Sequence, residues 1–332
     1  MDRIVIAHGG GGELTDLLIR EMIRPRFTLS DLDDSAVLPA VNGRLALTTD
    51  SYVVSPLTFP GGDIGRLAVC GTVNDLAVCG AEPRWLTFSL VLEEGLSLAV
   101  LERMLDSARD AAAEAGVTIV AGDTKVVPRG QADGMYVNTS GVGVFRREPL
   151  PGASAIRAGD VVLLSGFVAD HGLAVMLSRT DQPRLRSELK SDVAPLSGLI
   201  EDLLAAAPEV LFLRDPTRGG VAGVTADLAV ECGLGLVLSE DAIPVRPETQ
   251  WAADLLGLDP LTVANEGKVL AVVHEADAER ALAAMRDHPL GNRAAQIGRF
   301  TDRDPGLCVL KTKAGGSRMV AKPYGEELPR IC

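Results

Sequence analysis

Aromatic side chains are scarce, at 4% of 332 residues, and no apolar run nears the roughly 20 residues a membrane helix needs. Segments such as 161–164 and 269–273 meet polar residues at once, so a membrane-spanning chain is not expected. Positive charge is in deficit. With 32 basic against 45 acidic side chains the net charge is −13, which argues against a surface built for nucleic acid or anionic lipid and fits a small-molecule or protein partner. The cysteines, Cys70, Cys79, Cys232, Cys308 and Cys332, are odd in number and form no C-x-x-C pair, so neither a disulfide framework nor a zinc site is expected. Neither G-x-x-x-x-G-K-[ST] nor G-x-G-x-x-G after a strand occurs, which removes both common phosphate cradles. The apolar stretch at the N-terminus is too short for a signal peptide, and a cytoplasmic location is expected.

What is present is a two-domain globular chain. The length suits two domains, and the 47% hydrophobic and 23% charged composition is that of a packed interior. Apolar runs flanking Asn42-Gly43 predict a hairpin over 32–50. Helical spacing predicts helices over 64–81 and 98–115, the second capped by Gly116, with strands over 84–93, 117–121 and 135–145. A Pro/Gly-rich stretch at 148–154 marks a boundary near residue 150, dividing domain 1–150 from domain 151–317. In the second half, strands over 160–165, 235–239, 268–274, 294–300 and 307–312 alternate with helices around 221–232 and 276–287, a layered α/β or α+β pattern. From 318 to 332 the chain turns polar and reads as a flexible tail.

Aspartates beside small residues recur at predicted element ends: Asp33 and Asp34, Asp50, Asp75 after Asn74, and Asp123 with Lys125. Converging carboxylates suit Mg²⁺ shared with substrate phosphates, although each alone equally suits a helix cap or a turn. His8 and the glycines at 9–12 lead into a helical pattern, where backbone N–H groups approach an anion or form a plain loop. Asp215 and Arg218 belong to Asp-Pro-Thr-Arg-Gly-Gly, and Glu266 of Asn-Glu-Gly-Lys stands at a strand entrance, where it is either a general base or a solvated turn residue. Cys70, Cys79, Cys232 and Cys308 sit in apolar segments as packing residues. Cys332 differs, because it closes a polar tail and is expected to be exposed. The adjoining α-carboxylate disfavours its thiolate, and a tail of this length spans roughly 45 Å when extended, so delivery to a site is favoured over reactivity in solvent.

Taken together, Leu-Asp-Asp-Ser-Ala-Val, Thr-Thr-Asp-Ser, Val-Asn-Asp-Leu-Ala-Val-Cys-Gly-Ala, Ala-Gly-Asp-Thr-Lys-Val, Asp-Pro-Thr-Arg-Gly-Gly, Asn-Glu-Gly-Lys and terminal Pro-Arg-Ile-Cys resemble the HypE family of hydrogenase maturation proteins. That family lies within the aminoimidazole-ribotide-synthetase-like, or PurM-like, ATP-binding superfamily. The resemblance implies a PurM-like two-domain fold that dimerises through its N-terminal domains and binds ATP with Mg²⁺. It also implies that the carbamoyltransferase HypF loads Cys332, that the thiocarboxamide is dehydrated to a thiocyanate, and that the cyano group passes to iron on the HypC–HypD complex for the [NiFe] centre. By the same resemblance Glu266 is the base and Lys125 orients substrate or stabilises phosphate charge. Asp50, Asn74, Asp75, Asp123, Asp215 and Arg218 would hold nucleotide or phosphate, and Asp33, Asp34, Asp50, Asp75 and Asp123 the metal, with K⁺ assistance left open. A selenophosphate synthetase would need a reactive cysteine near the N-terminus, and the first here is Cys70. A thiamine-monophosphate kinase leaves Pro-Arg-Ile-Cys unexplained. A non-catalytic cysteine carrier is the reading outside the enzyme class.

Overall fold

A computed structural model describes residues 2–27, 35–179, 188–324 and 329–332. After a short helix α1 (Glu13–Leu18), the first domain carries β1 (Leu45–Tyr52), the ribbon β2 (Thr58–Phe59) and β3 (Gly62–Asp63), α2 (Ile64–Val78), β4 (Glu82–Glu93), α3 (Leu98–Ala115), β5 (Thr118–Ala121), β6 (Thr124–Val127) and β7 (Met135–Val144). The main sheet runs β1–β7–β4–β5, with β6 also on β4. α2 starts where the Asp63 side chain accepts the Arg66 N–H at 3.0 Å, and α3 ends at Gly116 in the left-handed conformation. Leu101, Met104, Leu105 and Ala108 form the buried stripe of α3, each large side chain contributing roughly 1.5–3 kcal/mol of burial. The two helices cover one face of the sheet. On the other, Leu45 and Leu47 of β1 lie bare, 57% and 76% exposed.

The second domain is a seven-stranded sheet, ordered β14–β13–β10–β12–β8–β11–β9. Its strands are β8 (Val161–Leu164), β9 (Phe212–Arg214), β10 (Gly235–Ser239), β11 (Leu270–Val273), β12 (Ala295–Thr301), β13 (Cys308–Lys311) and β14 (Ser317–Val320), with helices α4 (Asp170–Ser178), α5 (Ser197–Ala206), α6 (Gly220–Cys232), α7 (Pro247–Leu256) and α8 (Ala278–Asp287). Every residue of β8 and β11 is buried, because separate apolar clusters cover the two faces. α2 touches α5 and β9, and α4 joins the first domain's core.

Two expectations are corrected. No hairpin forms at Asn42-Gly43 among the described residues: β1 pairs antiparallel with β7, Asp50 opposite Thr139, a partner some ninety positions away that local turn chemistry does not reveal. The tail does not begin at 318, since Arg318 sits in β14 opposite Leu310 and the chain leaves the sheet only after Val320.

Candidate active site at the domain junction

The alternation of β1 turns Thr48, Asp50 and Tyr52 toward α2, whose three-residue spacing presents Thr72 and Asp75 on one face. Tyr52 and Thr72 hydroxyls donate to Asp50 Oδ2 at 3.3 and 3.4 Å, and Thr48 donates to Asp75 Oδ2 at 2.8 Å. Burial, then the adjacent Asp50 carboxylate, pushes Asp75 up to about 6. From the other domain Asp215, just after β9, is pushed up to about 7 by burial and then by Asp75 and Asp50. Like charges this close favour a bound proton or a cation.

Glu266 lies on the same side, ahead of β11. It is 3% exposed, its Oε1 has no hydrogen-bond partner, and burial followed by Asp215, Asp192, Asp50 and Asp75 raises its pKa well above the ordinary glutamate value. Its backbone is fixed from two directions. Asp192 Oδ1 accepts the Glu266 N–H at 3.2 Å, and the Asn74 amide donates to the Glu266 carbonyl at 3.4 Å. Gly267 is required here, because a Cβ would stand 1.8 Å from the Asp192 carbonyl oxygen. Burial alone would raise Asp192, but the Lys268 ammonium, whose Nζ is 3.1 Å away, leads the contacts that outweigh it and hold this carboxyl below its usual value.

Asn74 departs from its expected role as a nucleotide ligand. Its Oδ1 accepts the Leu196 N–H at 2.7 Å and its Nδ2 donates to the Ala194 carbonyl at 3.1 Å as well as to Glu266, so the buried amide is spent on tying α2 to the second domain. Sequence reasoning passed over its counterpart, Asn265, whose amide ties the Ala169 N–H to the Pro216 carbonyl. Its position inside Asn-Glu-Gly-Lys was the available signal.

Asp123 and Lys125 stand elsewhere. They are exposed and pair at 2.8 Å, and the Lys125 hydrogen bond leads in lowering Asp123. β6 is reached from β1 across β7 and β4, about 14 Å at the usual strand spacing. The glycine run joins them there: a Cβ on Gly9 would lie 2.7 Å from the Val126 nitrogen. Arg218 is exposed, with no side-chain partner among the described residues. Asp33 and Asp34 lie outside the described residues. Among the described residues no three His, Cys, Asp or Glu side chains gather as a metal cluster; of the aspartates expected to hold metal, Asp50 and Asp75 are the two brought into contact.

Cys332, expected to be exposed, is half-buried against the first domain's core, next to the buried Ile331. Val53 and Ser55 N–H groups donate to the Cys332 and Arg330 carbonyls, both at 3.1 Å. The Arg330 guanidinium donates to the Val53 carbonyl at 3.0 Å and pairs with Asp133 at 2.7 Å. The cluster on which Cys332 packs also takes in Val263 and Ala264, the residues leading up to Asn265 and Glu266.

Residues 32–145 match the AIR synthase related protein, N-terminal domain, and residues 157–309 the AIR synthase related protein, C-terminal domain. The chain belongs to the AIR synthase related family. Within it the chain falls among the HypE proteins: it is 47% identical over 336 residues to the carbamoyl dehydratase HypE of Rhodobacter capsulatus, covering 100% of this chain and 98% of that one. The crystal structure of hydrogenase maturation protein HypE in complex with ATP superimposes with a TM-score of 0.93 at 41% identity, over 99% of both chains. That of a HypE–HypF complex gives 0.79 at 42% identity, over 94% of this chain and 100% of that one.

Proposed function

We propose that this chain is an ATP-dependent carbamoyl dehydratase of [NiFe] hydrogenase maturation, converting a carbamoyl group on Cys332 into the thiocyanate that supplies cyanide. The observation that carries the reading is the docking of the Cys332 terminus at the junction where Glu266 keeps an unpartnered, buried carboxyl. The carbonyl oxygen of a thiocarboxamide leaves poorly until phosphorylated, and ATP supplies that phosphoryl group. As the O–P bond forms and the bond from the γ-phosphorus to departing ADP breaks, the S–C(=O)–NH₂ nitrogen gives one proton to solvent; the second leaves it as the C–O bond breaks, C≡N forms and inorganic phosphate departs. Glu266 takes the second. Its low-dielectric surroundings raise its basicity, and backbone contacts through Asn74 and Asp192 hold it in place.

The Asp50–Asp75 pair with Asp215 fits Mg²⁺ and nucleotide phosphates, since crowding has left more negative charge there than the protein neutralises. Lys125, with Asp123 and the glycine run, would receive phosphate at the second edge, and Arg218 is presented to solvent ahead of α6. The ATP-bound and HypF-bound relatives support nucleotide binding and loading by HypF. HypC–HypD as acceptor, a cytoplasmic setting and a homodimer complete the reading, the last favoured by the bare sheet face with Leu45 and Leu47. Intact-protein mass spectrometry after incubation with HypF, carbamoyl phosphate and Mg-ATP tests it. Wild type should gain one carbamoyl group and then lose one water, and Cys332→Ser should do neither; loading of the serine variant would overturn the carrier assignment.

A further inference from the structure

The seat of the tail contains a hydrogen-bond chain that the reaction itself does not use. His171, on the first turn of α4, is fully buried and stands edge-on to Phe59 at 5.3 Å between ring centroids. Its Nδ1 is 2.8 Å from Ser191 Oγ and its Nε2 is 2.7 Å from the Ile331 carbonyl oxygen, the peptide group joining Ile331 to Cys332. Ser191 Oγ accepts the Val193 N–H at 3.1 Å, which leaves its own proton to point at His171 Nδ1. A carbonyl oxygen only accepts, so Nε2 must carry the ring proton. Both ends of the chain select the same tautomer, and burial, the leading cause, lowers the pKa of His171 and keeps the ring neutral.

The scaffold around this ring shows that the arrangement is imposed. Ala169, two residues before His171, has φ 71° and is held there by Asn265 Oδ1. Arg330 has φ 54°, and Arg179 donates to its carbonyl at 2.6 Å. Left-handed backbone at non-glycine residues is strained and persists only where contacts enforce it.

We propose that His171, oriented by Ser191, is a positioning residue that seats the Ile331–Cys332 peptide and so presents the carrier thiol to the junction. The proposal rests on Cys332 being the carrier. Two of its three readouts do not, because they need neither ATP nor a carbamoyl group. In the full chain, ¹⁵N imidazole shifts should show His171 protonated at Nε2, and removal of residues 329–332 should shift the Nε2 signal; an Nδ1–H tautomer, or shifts indifferent to the tail, would overturn the assignment. Alkylation of Cys332 by iodoacetamide should accelerate about tenfold in His171→Phe, which keeps the ring and loses the donor, and return to within about threefold of wild type in His171→Gln, whose amide N–H can reach the position of Nε2. Single-turnover dehydration of the preloaded protein should fall in the same order, with the KM for ATP within about twofold of wild type. Equal alkylation and dehydration in His171→Phe and wild type would reject the role, whereas seating that responds as expected in a protein with no dehydration would reject the dehydratase reading alone.

Discussion

Aspartates with similar sequence surroundings meet opposite fates in two regions of this molecule. At the junction Asp75 and Asp215 crowd other carboxylates, and their pKa values rise to about 6 and about 7. On the far edge of the first sheet, Asp123 is exposed, paired with Lys125 and lowered. One region stores unneutralised charge and is rigidly tied; the other is solvated and self-neutralised. On the proposed reading the first region would draw the metal and the second would offer a cation to phosphate.

The comparison is broken most severely at Asn74. Asn74→Ala strips the Leu196 N–H and the Ala194 carbonyl of their side-chain partner, and should lower stability by about 3 kcal/mol in urea unfolding. At the solvated edge the pattern should invert. Lys125→Ala should leave stability within about 0.5 kcal/mol of wild type, since the pair is exposed, while slowing ATP-dependent dehydration by about thirtyfold in single-turnover assays. The smallest effect is the pH signature of the crowded carboxylates. Their folded pKa values lie above the unfolded ones, so their stabilising contribution is present below about pH 4 and is lost as pH rises through about 6 to 7. Asp215→Asn should flatten that decline and raise the melting temperature at pH 8 by about 2 °C in thermal scans of the metal-free protein.

Local pattern made much of this architecture legible. The apolar stripe and Gly116 mark α3, and helical spacing marks α2 to within three residues of its end. The pairing of β1 with β7 was not legible, because register between distant strands is set by tertiary packing; Asn42-Gly43 invited a local hairpin in its place. Glu266 could be singled out by its motif, but its backbone is held by Asn74 and Asp192, residues remote in the chain. Nor does the sequence reveal that Asp123 lies away from Asp50 and Asp75, since motif spacing carries no distance across a sheet. The polar composition of the tail suggested an exposed cysteine; three carbonyls docked on Val53, Ser55 and His171 outweigh it.

The central claim, that Glu266 drives dehydration of a carbamoyl group on the seated Cys332, is tested most directly by ¹³C NMR. Protein loaded with ¹³C-carbamoyl is given Mg-ATP, and the labelled carbon is followed over time. The account predicts conversion to a thiocyanate resonance in wild type, and in Glu266→Gln a loaded carbamoyl signal that converts about a thousandfold more slowly while ATP still binds. Conversion at the wild-type rate in Glu266→Gln would contradict it.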